Sequence, residues 1–210
     1  MDNKYIVVIG SISDFSELLP LLCFFYLGKI KTFPYIFTAL AATSALNITS
    51  FVLSEFGVYN LYLYHLIGIA ELLLYYGFYK RNVALTKVLK GFFFTALIIY
   101  VLGSLFEGFD SINSFSRSVS CLYLLILGLY YLYVVYRDEI ISDVTHSSAF
   151  WINAGLLFYF SASFFTFLMS KKILSLEITD FFSAGWLIHM ISNIVKNIVI
   201  FFAIRLRDNV

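Results

Sequence analysis

The sequence predicts an all-α polytopic membrane protein, a seven-transmembrane helix bundle with an outside N-terminus and a cytoplasmic C-terminus. Of the 210 residues, 61% are apolar and only 13% are charged, roughly half the charged fraction of a water-soluble domain. The apolar residues fall in seven long blocks, each close to the roughly 20 residues with which a helix crosses a bilayer. The connecting segments are too short for a second domain, so residues 1–210 are predicted to form a single transmembrane domain.

Each predicted helix is an apolar block bounded by polar or turn-forming residues. Pro34 opens the second block, Gly57 and Asn60 flank the turn before the third, and Lys80 and Arg81 close the third, as expected at helix ends. The helices are predicted at about 8–28, 34–56, 60–80, 86–106, 114–136, 148–170 and 180–204. The short connections favour antiparallel packing of neighbours in the sequence.

The orientation follows from the distribution of cations between the two sides of the membrane. With seven spans, one side receives Lys29, Lys31, Lys80, Arg81, Lys87, Lys90, Arg137, Arg205 and Arg207. The other side receives Lys4, Arg117, Lys171 and Lys172. Because cytoplasmic loops carry the excess of lysine and arginine, the first side is predicted to be cytoplasmic.

Composition and motifs exclude several classes of function. The net charge is only +1, which gives no field to attract nucleic acid. The sequence contains no nucleotide-binding loop, nucleophile elbow or HExxH pattern. No catalytic residue is therefore predicted, and no cofactor is assigned.

A few polar side chains lie within the predicted spans, where they must face the bundle interior and find partners. These are Asp14, Glu17, Asn47, His65, Glu71, Asn153, His189, Asn193, Lys196 and Asn197. For Asp14 and Glu17 we expect a later start of the first helix, which places both at the hydrated outer interface. If they are buried instead, they join His65 and His189 in one cavity in the outer half of the bundle.

Helical geometry groups some of these residues into stripes at matching depths. On the last helix, His189, Asn193 and Lys196 fall on one face. Glu71 and Lys196 lie at similar heights, about 13 to 14 Å from Lys80 and Arg205, the basic residues at the predicted cytoplasmic ends of their helices. The sequence therefore predicts an ion pair between Glu71 and Lys196, with a polar layer containing histidine on its outer side.

These stripes predict a pocket for a small apolar or lipid-like ligand, whose occupancy is signalled to a separate partner, since the chain shows no output domain. Membrane lipids are the other expected partners. The residues predicted to bind the ligand are Tyr64, His65, Glu71, Trp186, His189, Asn193 and Lys196.

Several alternatives remain open at this point. His65 and His189 lie at one depth and are the candidate ligands if the protein binds metal or haem, or modifies lipids. Lys196 in the last helix is the residue that a retinal protein would use, with Glu71 as counter-ion. The polar residues also fit a purely structural role, in which they fix one packing arrangement of the helices.

Three short motifs resemble a family of small bacterial membrane proteins that have no assigned function. They are Tyr64-His65 with Glu71, the run from Phe150 to Gly155, and His189 with Asn193, Lys196 and Asn197. Similar modules stand alone or precede sensor-kinase domains. The resemblance implies a sensory or signalling role in the inner (plasma) membrane of a bacterial cell.

Overall fold

The computed structural model describes residues 3–139, 144–175 and 179–206, which form eight α-helices and no strand. The helices are α1 (Asn3–Ser16), α2 (Leu18–Leu27), α3 (Pro34–Glu55), α4 (Tyr62–Asn82), α5 (Lys87–Glu107), α6 (Ser114–Arg137), α7 (Ser148–Ser175) and α8 (Thr179–Arg205). Short 3-10 turns occupy Lys29–Lys31 and Val144–His146. Of the cations in the predicted charge count, Arg207 and the side chains of Lys4, Lys171 and Lys172 lie outside the described residues.

Six segments of the described chain are helices long and apolar enough to cross a membrane. They are Val8–Leu27, Pro34–Glu55, Lys87–Glu107, Ser114–Arg137, Ser148–Ser170 and Gly185–Arg205. These segments indicate a multi-pass membrane protein. Helix α4 has a similar length but is less apolar, because it carries His65, Glu71 and several tyrosines. The seven-span count therefore stays a prediction.

The helices pack into a closed ring. The first span contacts α3 and α8, α8 packs along α7, and α7 packs along α6. Helix α4 packs between α3 and α6 and completes the ring. Helix α5 lies outside the ring and packs mainly on α6. Closure of the ring brings α4, α6, α7 and α8 around one interior space together with the first span.

Hydrogen bonds between distant parts of the chain close this ring. The Nδ2 atom of Asn193 donates to the carbonyl and hydroxyl oxygens of Ser13, at 3.2 and 3.0 Å. Asn197 Nδ2 donates to Ser16 Oγ at 2.7 Å. Beyond the end of α2, Lys29 Nζ donates to the carbonyl of Leu206 at 2.5 Å. The first and last spans are thus joined near their middle and at one end.

The first predicted helix is one span whose hydrogen bonding is interrupted near its middle, while the backbone at Glu17 stays helical with φ −65° and ψ −24°. We call this interruption the break. Helix α1 ends at Ser16, and α2 begins at Leu18. Pro20 explains the break, because it has no N–H to donate to the carbonyl of Ser16 and its ring crowds that carbonyl. The backbone bond resumes from Leu21 N to Glu17 O at 3.4 Å. Glu17 therefore sits at the break itself.

The start of α6 is fixed by the end of α5. Gly108 has a φ of 81°, a conformation that suits glycine because it has no Cβ, and there the chain leaves α5. The carboxylate of Glu107 then accepts bonds from Phe115 N and Ser116 N, at 2.8 and 3.2 Å. An acid at this position satisfies free amides of the first turn. Arg117 directly follows Ser116, so these bonds also position it in the first turn of α6.

Candidate functional site

The bundle encloses a cavity of about 120 Å³ in the half that contains α1. Residues of α1, α3, α4, α6, α7 and α8 line it, together with Glu17 at the helix break and Asn113 just before α6. Its wall is mixed, with carboxylates and amides beside the aromatic rings of Tyr64, Tyr159 and Trp186. Convergence of polar groups from so many helices marks this cavity as the candidate site.

One side of the cavity is an ion pair whose carboxylate, Glu71, accepts hydrogen bonds at both oxygens, and we call it the saturated pair. Arg117 Nη2 donates to Glu71 Oε2 and also to the hydroxyl of Tyr159 at 3.0 Å. The Tyr159 hydroxyl in turn donates to Glu71 Oε1 at 3.3 Å. Arg117 and Glu71 are both buried, and the guanidinium carbon lies 5.6 Å from the Phe167 ring centre. This network connects α4, α6 and α7.

A second ion pair lies beside the first and is less completely bonded. Lys196 Nζ is 3.6 Å from Glu17 Oε1. Glu17 also accepts bonds from Thr43 Oγ1 at 2.8 Å and Ser44 Oγ at 3.2 Å. Within the described residues, Lys196 Nζ has no hydrogen-bond partner, although it lies 4.3 Å from the ring centre of Tyr159. Tyr159 therefore touches both pairs.

The predicted ion pair between Glu71 and Lys196 is wrong, since each residue has a different partner. Equal depth on two helices restricts only the coordinate along the membrane normal and leaves the facing direction open. Arg117, which the charge count placed on the outer side, is the partner of Glu71. Glu17, which we expected at a hydrated interface, is only 2% exposed and is the partner of Lys196.

Asp14 differs from the other charged groups of the cavity because it is partly exposed and unpaired. It lines the cavity, and its carboxylate makes no hydrogen bond or ion pair with the described part of the chain. Glu17, Glu71 and Asp14 supply three carboxylates, whereas Arg117 and Lys196 supply two cations. When all five are ionised, the site carries one negative charge in excess.

His189 lies in a cage of aromatic rings at the cavity wall. Its ring centre is 5.5 Å from Tyr159, 5.2 Å from Phe167 and 5.7 Å from Trp186. Nδ1 is 2.9 Å from Ser163 Oγ. A serine next to a histidine is the arrangement of a nucleophile and its base, but Ser163 is fully buried and does not line the cavity. We therefore assign this contact a positioning role.

The structure brings most of the predicted ligand-binding residues together. Tyr64, Glu71, Trp186, His189 and Asn193 line the cavity. Lys196 lies behind the wall, in the ion pair with Glu17.

His65 does not face the cavity. Its Nε2 lies 3.2 Å from the carbonyl of Ser111, and its ring packs 5.2 Å from Phe109. The sequence predicted His65 at the central pocket, but its side chain lies on another face of α4.

The residues that sequence reasoning missed are Arg117, Tyr159 and Phe167. Tyr159 and Phe167 belong to a long aromatic segment of α7 in which no position stands out from the pattern. Arg117 did carry a signal, because serines surround it at positions 116, 118 and 120. Small residues on both sides of a cation near a helix start are typical of a buried position with close helix contacts.

The structure gives the metal and retinal alternatives little support. No three histidine, cysteine, aspartate or glutamate side chains of the described residues lie close enough together to share a metal ion. His65 and His189 each have other contacts and line different spaces. Lys196 is paired with Glu17 and is not among the residues that line the cavity.

No family model matches this sequence, and comparison with curated proteins and with solved structures finds no similar chain. The function must therefore be argued from the geometry of the cavity and its charges.

Proposed function

We propose that this protein is a receptor-like protein of the bacterial inner membrane that binds a small ligand with a positively charged group in its central cavity. Occupancy of the cavity is relayed to a separate signalling partner. The observation that carries the proposal is Asp14, a carboxylate that lines the cavity and has no partner in the described part of the chain.

The size of the cavity supports a small ligand. Its volume is about 120 Å³, whereas drug-sized ligands occupy pockets of roughly 300 to 1,000 Å³. An engineered cavity of about 150 Å³ in another protein holds one benzene molecule. The sequence suggested an apolar or lipid-like ligand, but this volume favours a molecule of only a few heavy atoms.

The charge of the cavity supports a cation. The excess negative charge comes from Asp14, and an anionic group within a bundle is stabilised when a cation occupies the space beside it. The aromatic rings of Trp186, Tyr159 and Tyr64 also line the cavity, and aromatic faces attract ammonium groups. A small alkylammonium ion satisfies both features.

The proposed topology has seven spans, with α4 as the third, an outside N-terminus and a cytoplasmic C-terminus. Its support is the grouping of cations at the end of the bundle opposite the cavity. Lys29 and Lys31 follow α2, Lys80 and Arg81 end α4, and Lys87 begins α5. Arg81 Nη2 donates to the Lys31 carbonyl at 3.4 Å, so these segments are neighbours. On this orientation the cavity opens to the outside.

The broken first span supports the relay. Asp14 is on α1 and Glu17 is at the break before α2. A cation bound to Asp14 changes the field at Glu17, three residues away, and the break lets α1 move relative to α2. Proteins use such interruptions as hinges. The resemblance to membrane modules that precede sensor kinases agrees with this role.

The proposal is tested by binding to the purified protein in detergent, with methylammonium chloride as the probe and sodium chloride as the ionic control. We expect methylammonium to raise the melting temperature of the native protein more than sodium does, because a ligand that binds only the folded state stabilises it. Asp14→Asn should abolish this difference. Asp110→Asn makes the same change in the loop before α6, outside the cavity, and should retain it.

Either of two outcomes would contradict the proposal. One is equal stabilisation of Asp14→Asn and the native protein by methylammonium. The other is no difference between methylammonium and sodium in the native protein, while tetramethylammonium, ethylammonium and guanidinium are equally without effect.

A further inference from the structure

A second space lies outside the ring, in a groove between the start of α4 and the end of α5. The groove has a volume of about 200 Å³. Leu66, Val101 and Leu105 form much of its wall and are exposed, so they face the lipid if α4 and α5 span the membrane. The central cavity shares none of the residues that line this groove.

Two buried polar atoms at this groove lack partners. His65 is 2% exposed and Ser104 is 4% exposed, and both line the groove. Within the described residues, neither His65 Nδ1 nor Ser104 Oγ has a hydrogen-bond partner. A buried polar group without a partner is destabilising, because it has lost its hydrogen bonds to water and gained none. Two of them at one apolar groove indicate an occupant that can form hydrogen bonds.

The other contact of His65 defines what this occupant must offer. His65 Nε2 lies 3.2 Å from the carbonyl oxygen of Ser111, and a carbonyl oxygen can only accept, so Nε2 carries the proton. In the neutral imidazole, Nδ1 is then an acceptor and requires a donor. The hydroxyl of Ser104 can donate or accept. A ligand hydroxyl satisfies both needs, because it donates and accepts at one atom.

The lining of the groove and its depth define the rest of the ligand. No lining residue carries a formal charge when His65 is neutral, which disfavours phosphate and carboxylate head groups. His65 and Ser104 each lie three residues from a helix end at the same side of the bundle, about 4.5 Å along the axis. That depth corresponds to the interface, and the apolar wall continues from there toward the bilayer centre.

We infer that the groove between α4 and α5 binds an uncharged single-chain lipid through a hydroxyl group, which donates to His65 Nδ1 and accepts from Ser104 Oγ. The acyl chain lies along Leu66 and Val101. The site is independent of the proposed cation site in the central cavity. His65, which the sequence assigned to the central pocket, instead serves this lateral site.

The test compares two lipids that differ in their hydroxyl groups, 1-monooleoylglycerol and methyl oleate. Native mass spectrometry of the protein in detergent gives the fraction of each bound at increasing lipid concentration. We expect monooleoylglycerol to bind the native protein about tenfold more tightly than methyl oleate, as the loss of hydrogen bonds of ordinary strength predicts.

Variants link this difference to the two side chains. Ser104→Ala and His65→Phe should each bring monooleoylglycerol close to the affinity of methyl oleate. Ser120→Ala serves as the matched control, because Ser120 is a buried serine on α6 that bonds within its own helix and does not line the groove. Ser104→Ala removes a single oxygen and keeps the fold measurable if His65→Phe does not fold.

The inference is overturned if methyl oleate binds as tightly as monooleoylglycerol, or if Ser104→Ala retains the full preference. Asp14→Asn separates this proposal from the cation site, because it should remove the methylammonium effect and leave monooleoylglycerol binding unchanged.

Discussion

The two buried ion pairs beside the cavity differ in how fully their polar atoms are bonded. The Arg117 guanidinium is hydrogen-bonded to both Glu71 and Tyr159, and Tyr159 returns to Glu71, so three side chains form a closed ring. In the other pair, Lys196 Nζ approaches Glu17 to 3.6 Å but forms no hydrogen bond in the described structure. Both carboxylate oxygens are bonded in the saturated pair, whereas the ammonium of the second pair has no hydrogen-bond partner among the described residues.

We expect this difference to make the cavity wall rigid at Arg117 and Glu71 and adjustable at Lys196 and Glu17. Arginine presents donors in a planar fork that fits a carboxylate and a neighbouring acceptor together. Lysine offers a compact charge on a flexible stem. The saturated pair joins α4, α6 and α7, whereas the pair of Lys196 and Glu17 lies at the break of the first span. The pair of Lys196 and Glu17, which we call the adjustable pair, is therefore next to the proposed hinge.

The largest expected effect is the loss of the saturated pair. Arg117→Met leaves Glu71 buried beside Tyr159 without its cation, so we expect the free energy of unfolding to fall by about 3 to 5 kcal/mol. Arg137→Met is the control, because Arg137 pairs with Asp138 at an exposed helix end and such pairs contribute little. Unfolding in mixed micelles with increasing sodium dodecyl sulfate gives both values. A smaller loss for Arg117→Met than for Arg137→Met would contradict the comparison.

A smaller effect is expected for the adjustable pair. In Lys196→Met, Glu17 keeps the hydroxyls of Thr43 and Ser44 and stays next to the cavity, so the loss should be about 2 to 3 kcal/mol. Adding Glu17→Gln should restore part of that loss, because it removes the uncompensated charge. The same unfolding assay applies. Equal losses for Lys196→Met and Arg117→Met would show that the two pairs do not differ.

The smallest of the three effects concerns the space next to the saturated pair. A Cβ at Gly68 would clash with the Tyr100 hydroxyl and lie 3.0 Å from Arg117 Nη1. Gly68→Ala should therefore be destabilising by about 1 to 2 kcal/mol, since the tyrosine must shift. Gly91→Ala is the matched control on α5, where a Cβ meets nothing within 4 Å, and it should be neutral or stabilising. A stabilised Gly68→Ala variant would contradict the packing described for this pair.

Sequence reasoning located the helices well because the bilayer restricts them strongly. Helix α3 begins at Pro34 as predicted, and the bounds of α5 and α6 lie within one residue of expectation. In lipid, an apolar block of bilayer length is most stable as a helix, because the helix satisfies its backbone hydrogen bonds internally. The break at Glu17 was not predicted, although Pro20 carried its signal.

The partners of the buried charges were harder to predict than their depths. Glu71 and Lys196 were identified as interior residues correctly, yet both were assigned the wrong partner. Depth follows from rise per residue, whereas the facing direction depends on how every helix is rotated and tilted in the finished ring. His65 shows the same limit, because a small error in the rotation of α4 decides whether its side chain faces the cavity or the groove beside α5.

The bonds from α8 to the first span join segments that are synthesised at different times. Asn193 and Ser13 are 180 positions apart in the chain, so the first span enters the membrane long before its partner is synthesised. Until α8 arrives, Glu17 is a membrane acid with only two hydroxyl donors. A chain that stops before α8 leaves that acid without its lysine partner. The helix that carries Lys196 therefore decides whether the buried acid of the first span has a cation beside it.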